Sequence, residues 1–177
     1  MLKVVSITET VVDYNGYQFL LGSVASEKIP EYTAVFSKEL DVHVGDYLDE
    51  IAMDLTTAPV NGEYVDCIRI REAKVCKKGA LDKFINLTVY GIVLKPKKVS
   101  EECPRVGMDA RPYLRFTLKS KDAFDRCVSR PVFAKKVAPA IYELENRTFV
   151  KAEATIMPDK VHTFVLHIRA FQEIGGK

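Results

Sequence analysis

Long helical periodicity is almost absent from this chain, and in its second half apolar and polar positions alternate along several runs, the period of a half-buried β-strand. Runs rich in Val, Ile, Thr, Tyr and Phe recur between turn residues and predict an all-β sandwich or barrel. In the first half, strands are expected at Lys3–Asp13, Tyr17–Ser26, Tyr32–Phe36, Tyr47–Leu55 and Tyr64–Val75. Turns fall at Tyr14, Asn15 and Gly16, and across Pro59–Gly62; Asn-Gly adopts positive φ readily. The second half predicts strands at Phe84–Lys95, Tyr113–Ser120, Pro131–Val137, Arg147–Met157 and His162–Ile174, with one short helix at Ala138–Glu145. Gly91, inside the first of these strands, marks a bulge or sharp bend.

Alternation also assigns faces. Leu114, Phe116 and Leu118 face the core, as do Val150, Ala152, Ala154 and Ile156, and Phe164, Leu166, Ile168 and Ala170. The opposite side of the last hairpin presents Phe149, Lys151, Glu153, Thr155, Val165, His167, Arg169 and Phe171. Rings interleaved with cations on a non-core face point to a ligand.

Composition changes this picture in one respect. The 177 residues carry a net charge of only +2. Residues 1–80, however, hold 8 Lys/Arg against 13 Asp/Glu, and residues 81–177 hold 18 against 11. The basic half is the expected contact for a polyanion. The polar stretch Cys76–Lys83 coincides with the reversal and is the expected linker. The acidic stretch Glu39–Glu50 reads as a solvated loop and the outward side of a strand, or as a surface that repels DNA and attracts a basic partner or the basic half of a second subunit. No run approaches the roughly 18 apolar residues of a membrane span, and the N-terminus lacks the apolar core of a signal peptide. Four scattered cysteines without an export signal are expected to stay reduced in the cytoplasm.

Catalytic and metal readings lack a constellation. There is no Gly-rich phosphate loop. His43, His162 and His167 share no metal spacing, and Cys67 and Cys76 are too far apart for the short pairs of zinc sites. Asp49 and Glu50 are adjacent on a strand and point apart. The expectation is a protein that is not an enzyme and uses no cofactor or metal.

Three strands, a short helix and a hairpin within about 90 residues form the element order of an OB-fold barrel. Phe84–Lys95 (FINLTVYGIVLK) resembles the opening strand of bacterial and phage single-stranded DNA-binding proteins, with Leu87, Val89 and Gly91 on its pattern. Tyr113–Ser120 is similar to that family's second strand. Pro131–Ile156 is similar to its third strand, alanine-containing helix and fourth strand, with Glu153 at the family's Glu and Ala154 in place of its Gly. His162–Phe171 fits the closing strand. Asn146 and Arg147 stand where the family has a Lys-Gly turn. In the first half, Gly45, Asp46 and Tyr47 before a strand, then a turn and Tyr64–Val75, look like the last hairpin of another such barrel, without a helix between Phe36 and Gly45. The expected architecture is two OB-like five-stranded Greek-key barrels, the second with a short helix between strands 3 and 4. They would occupy an acidic domain at 1–75 and a basic domain at 84–174, linked by 76–83.

The resemblance implies a sequence-tolerant single-stranded DNA-binding protein, with RNA as a related ligand. The chain ends Glu-Ile-Gly-Gly-Lys, without the acidic tail of cellular members. That favours a phage, plasmid or mobile-element variant acting in replication or recombination, or a primosome-type relative. Rings stack on exposed bases and cations follow the phosphates. The expected stackers are Tyr90, Tyr113, Phe149 and Phe171. The expected phosphate contacts are Lys95, Lys97, Lys98, Arg111, Arg115, Lys119, Lys135, Lys136, Lys151 and Arg169. Expected partners are the single strand, further copies of the chain in a homodimer or higher homo-oligomer, and replication proteins, with no membrane. The alternative is an OB-type protein-interaction module of a replication, conjugation or phage complex that touches no nucleic acid.

Overall fold

The structure, a computed structural model, describes residues 1–12, 15–99, 113–122, 125–134, 139–159 and 163–174. Its strands in the first half are β1 (Leu2–Val12), β2 (Gln18–Ala25), β3 (Tyr32–Ser37), β4 (Tyr47–Val60) and β5 (Glu63–Cys76). Those of the second half are β6 (Asn86–Val99), β7 (Tyr113–Lys121), β8 (Cys127–Ala134), β9 (Phe149–Pro158) and β10 (Phe164–Glu173). Each half closes into a five-stranded barrel, in the order β1-β2-β3-β5-β4 and β6-β7-β8-β10-β9. Within each barrel the third and fifth strands run parallel. The two expected OB-type Greek-key barrels are therefore what the chain forms. By contacts it divides into residues 1–85 with 121–126 and 158–163, and residues 86–120 with 127–157 and 164–177.

The first barrel fills its interior from alternate positions. Tyr32, Ala34 and Phe36 of β3 are buried with Leu2, Val4, Val24, Leu48, Ile68 and Ile70. β4 runs beyond its expected end at Leu55 because pairing continues to Val60↔Glu63. The hairpin then turns on Asn61 and Gly62 alone, at φ +51° and +83°, the two-residue geometry that Asn-Gly favours.

Among the described residues no helix lies between β3 and β4, as expected. Asp46 anchors that connection. Its carboxylate accepts hydrogen bonds from the His43 amide at 2.9 Å and from Lys77 Nζ at 2.7 Å. Its carbonyl accepts from the Val4 amide at 2.8 Å. The Lys77 hydrogen bond, and then the His43 amide, hold the buried Asp46 carboxyl below the usual carboxylate range. The chain beyond β5 stays with this unit. The Asp82 amide donates to the Met1 carbonyl, the Ser26 hydroxyl donates to the Lys83 carbonyl, and the Ile85 amide donates to the buried Tyr32 hydroxyl. Burial raises the Tyr32 hydroxyl above its ordinary pKa.

In the second barrel β6 curls so far that two neighbours share it. Asn86–Ile92 pair with β9, and Ile92–Val99 pair with β7. The register breaks between Leu94 and Lys97, where Lys95 takes φ +53°. The bulge expected at Gly91 thus lies further along the strand. Gly91 serves close approach instead: a Cβ there would lie 2.7 Å from the Lys119 carbonyl oxygen and 2.8 Å from Leu118 Cγ.

The expected helix over 138–145 is a single 3-10 turn, Pro139–Glu143, and its neighbourhood buries Ile141 and Leu144. The turn after it puts Arg147, not Asn146, at positive φ, +72°. Asn146 Oδ1 instead accepts the Lys95 amide at 2.9 Å. The core assignment of the last hairpin holds from Val150 to Ile156 and from Phe164 to Ile168. Ala170, expected inside, is exposed. Among the described residues the parallel register with β8 ends at Ile168↔Ala134.

Two consequences are measurable. Gly91→Val drives a side chain into the neighbouring strand, and urea unfolding should show a loss of about 1–3 kcal/mol, as overpacking typically does. The Asp46 contribution to stability is present above the ordinary carboxylate pKa of about 4 and disappears as pH falls through the lowered folded value. Asp46→Asn should lower the melting temperature at pH 7 and flatten its decline in acid.

Candidate nucleic-acid interface

The outer surface of the second barrel collects its rings and cations in two places. The first lies across β7, β8 and β10. Phe133 on β8 stands directly opposite His167 on β10 in the parallel register, because their neighbours Val132, Ala134, Leu166 and Ile168 are all turned inward. The Phe133 and His167 rings stack at 5.8 Å between centroids, with 28° between their planes. Tyr113 at the start of β7 lies 6.0 Å from Phe133 on its other side. The Arg115 guanidinium sits 5.8 Å over the Phe133 ring, and Lys97 pairs with Arg115 across the β6–β7 ladder. The product is a row of three rings over three strands, edged by two exposed cations. In OB barrels, the outer face of strands 2 and 3 is the usual oligonucleotide surface, and here those strands are β7 and β8.

The second collection lies on β6 and β9. Tyr90 pairs with Lys151, whose Nζ lies 5.9 Å over the tyrosine ring. Ile92 pairs with Phe149 on one side and Lys119 on the other. Tyr90, Ile92 and Phe149 are 49%, 39% and 39% exposed, which makes an apolar patch rather than scattered single residues.

The expected site residues therefore divide. Tyr113, Arg115 and Lys97 come together around Phe133 and His167. Tyr90, Phe149, Lys151 and Lys119 gather at the other patch, since β9 pairs with β6 and β10 and not with β7 or β8. Arg169 is exposed beside Glu153, Asn86 and Thr88, at a shallow pocket of about 170 Å³. Phe171 is half-buried near the end of β10. Lys95 is exposed at the bulge, and Lys98 Nζ lies 5.0 Å over the Tyr142 ring. Arg111, Lys135 and Lys136 lie outside the described residues.

Phe133 and His167 were not among the expected stackers. Alternation extended into Pro131–Ala134 would have turned Phe133 outward, and an imidazole has a flat π face like a phenyl ring.

No protein-family model and no curated protein matches the chain. Among solved structures, it is similar to a deletion mutant of the single-stranded DNA binding protein from Thermus aquaticus, over 99% of this chain and 93% of that one. The TM-score is 0.62 at 10% sequence identity. Two crystal forms of the S. cerevisiae mitochondrial single-stranded DNA binding protein Rim1 align with 53% of this chain and 99% or 98% of theirs, at 15% identity and TM-score 0.41. At 10% identity, the likeness to the Thermus protein is one of fold.

Proposed function

We propose that this protein binds single-stranded DNA without strong sequence preference, and performs no catalysis. The observation that carries the reading is the ring row Tyr113–Phe133–His167 with Arg115 at its edge, on the barrel face that OB proteins use for oligonucleotides. Every base offers a π face, so stacking on such a row tolerates sequence. Arg115 and Lys97 supply charge for the phosphates. Lys119, Lys151, Arg169 and Lys95 extend the positive surface around the barrel, and Tyr90, Phe149 and Phe171 are secondary platforms. The Thermus protein is described as a single-stranded DNA binding protein, in keeping with this reading.

The acidic first half is the part that repels DNA and meets protein partners. The Tyr90–Ile92–Phe149 patch is the contact between copies in a homodimer or higher oligomer. The setting proposed is replication or recombination of a phage or mobile element, in the cytoplasm.

Fluorescence anisotropy with labelled oligo-dT at about 50 and 200 mM salt tests the reading. Binding should weaken with a log–log slope of about −0.7 per phosphate contact. Phe133→Ala should weaken binding by about 1–3 kcal/mol with little change in that slope. Arg115→Gln should reduce the slope by about 0.7. Absence of binding, or indifference to both substitutions in folded protein, overturns the proposal. The oligomer is tested separately. Ile92→Glu should shift sedimentation toward the monomer while leaving the melting curve cooperative.

A further inference from the structure

The two barrels pair their third and fifth strands in the same register. Ala34↔Ile68, Val35↔Arg69 and Phe36↔Ile70 in the first correspond to Val132↔Leu166, Phe133↔His167 and Ala134↔Ile168 in the second, and one constant sequence offset relates all six positions. Val35 therefore occupies the place of Phe133, and Arg69 that of His167. The first barrel has a counterpart of the ring face, with different residues on it.

That counterpart is closed in two ways. Leu21 and Val35 stand opposite each other on β2 and β3 and are buried at 5% and 3% exposure. They belong to an apolar cluster with Val11, Ala58 and Cys67, against which Phe19 and Val60 pack. Val11 and Phe19 come from the β1–β2 hairpin, Ala58 and Val60 from the β4–β5 hairpin, so the ends of the two hairpins fill the face where a base would stack.

The cations are closed by charge. The register set by the Asn61-Gly62 turn puts Asp54 opposite Arg69. The Asp54 carboxylate takes both arms of the Arg69 guanidinium, from Nε at 2.8 Å and Nη2 at 2.9 Å. Arg71 Nε lies 3.4 Å from the same carboxylate. A planar, two-oxygen anion held in a guanidinium fork is the geometry of a phosphate contact. Arg69, Arg71 and Asp54 are all partly open to solvent.

We infer that Arg69 and Arg71 form a latent phosphodiester site on the first barrel, held shut by Asp54 acting as an internal stand-in for the phosphate. The wild-type chain then engages a single strand through its second barrel alone. This rests on the reading of the second barrel given above, and the experiment separates the two. In a chain carrying Arg115→Gln and Phe133→Ala, which disables the second-barrel face, Asp54→Asn should restore binding of oligo-dT. The gain should be about tenfold at low salt, with a slope steeper by about 1.4 for two added phosphate contacts. Asp54→Asn/Arg69→Met removes the Arg69 guanidinium together with the carboxylate opposite it, keeps the fold if the single variant does not, and should recover about half of that steepening through Arg71. Failure of the proposed function would appear as wild-type protein that binds no oligo-dT. Failure of the present inference would appear as folded Asp54→Asn variants whose affinity and salt slope match those of their parent.

Discussion

The parallel pairing of β8 with β10 is the contact on which the candidate interface depends. It joins strands separated in sequence by the 3-10 turn and all of β9, so the barrel must close before Phe133 and His167 can meet. The register is held by what lies on the other side of the same strands. Val132, Ala134, Leu166 and Ile168 are each at most 3% exposed, and a slip of one residue would turn both rings inward and four core residues out. The outward aromatic row is thus fixed by the inward aliphatic one, and no loop has to hold it.

The first barrel shares this constraint and carries different residues on the matching face. Its third and fifth strands meet in the same register, yet Val35 and Arg69 occupy the places of the two stacked rings. One face is apolar and filled, with its two guanidinium groups beside a shared carboxylate; the other presents rings and exposed positive charge. The opposite net charges of the two halves of the sequence follow the same division. A shared fold with different chemistry at matched positions is the ordinary relation between fold and function.

Much of the second barrel was legible because β7, β9 and the first half of β10 alternate inward and outward residue by residue. The inward faces of β7, β9 and β10, the Asn61-Gly62 turn and the helix-free β3–β4 connection all follow from local pattern. What alternation cannot convey is where around a closed surface an outward residue points. Phe149 and Lys151 therefore read like neighbours of Tyr113 and Arg115, although β9 and β7 are each beside β6 and never beside one another. The positive φ of Arg147 and Lys95 was equally hidden, since neither residue type favours it and both result from strand closure around β6. The Asp54–Arg69 pair depends on pairing register, which emerges only once the hairpin turn is fixed.

In the proposed function nucleic acid lies along β7, β8 and β10 and not along the β6–β9 patch. Photocrosslinking of the full chain to oligonucleotides carrying 5-iodouracil, followed by peptide mass spectrometry, reads this directly. Adducts are expected at Tyr113, Phe133 and His167. Adducts confined to Tyr90 and Phe149, or to the first barrel of the unmodified protein, would contradict it.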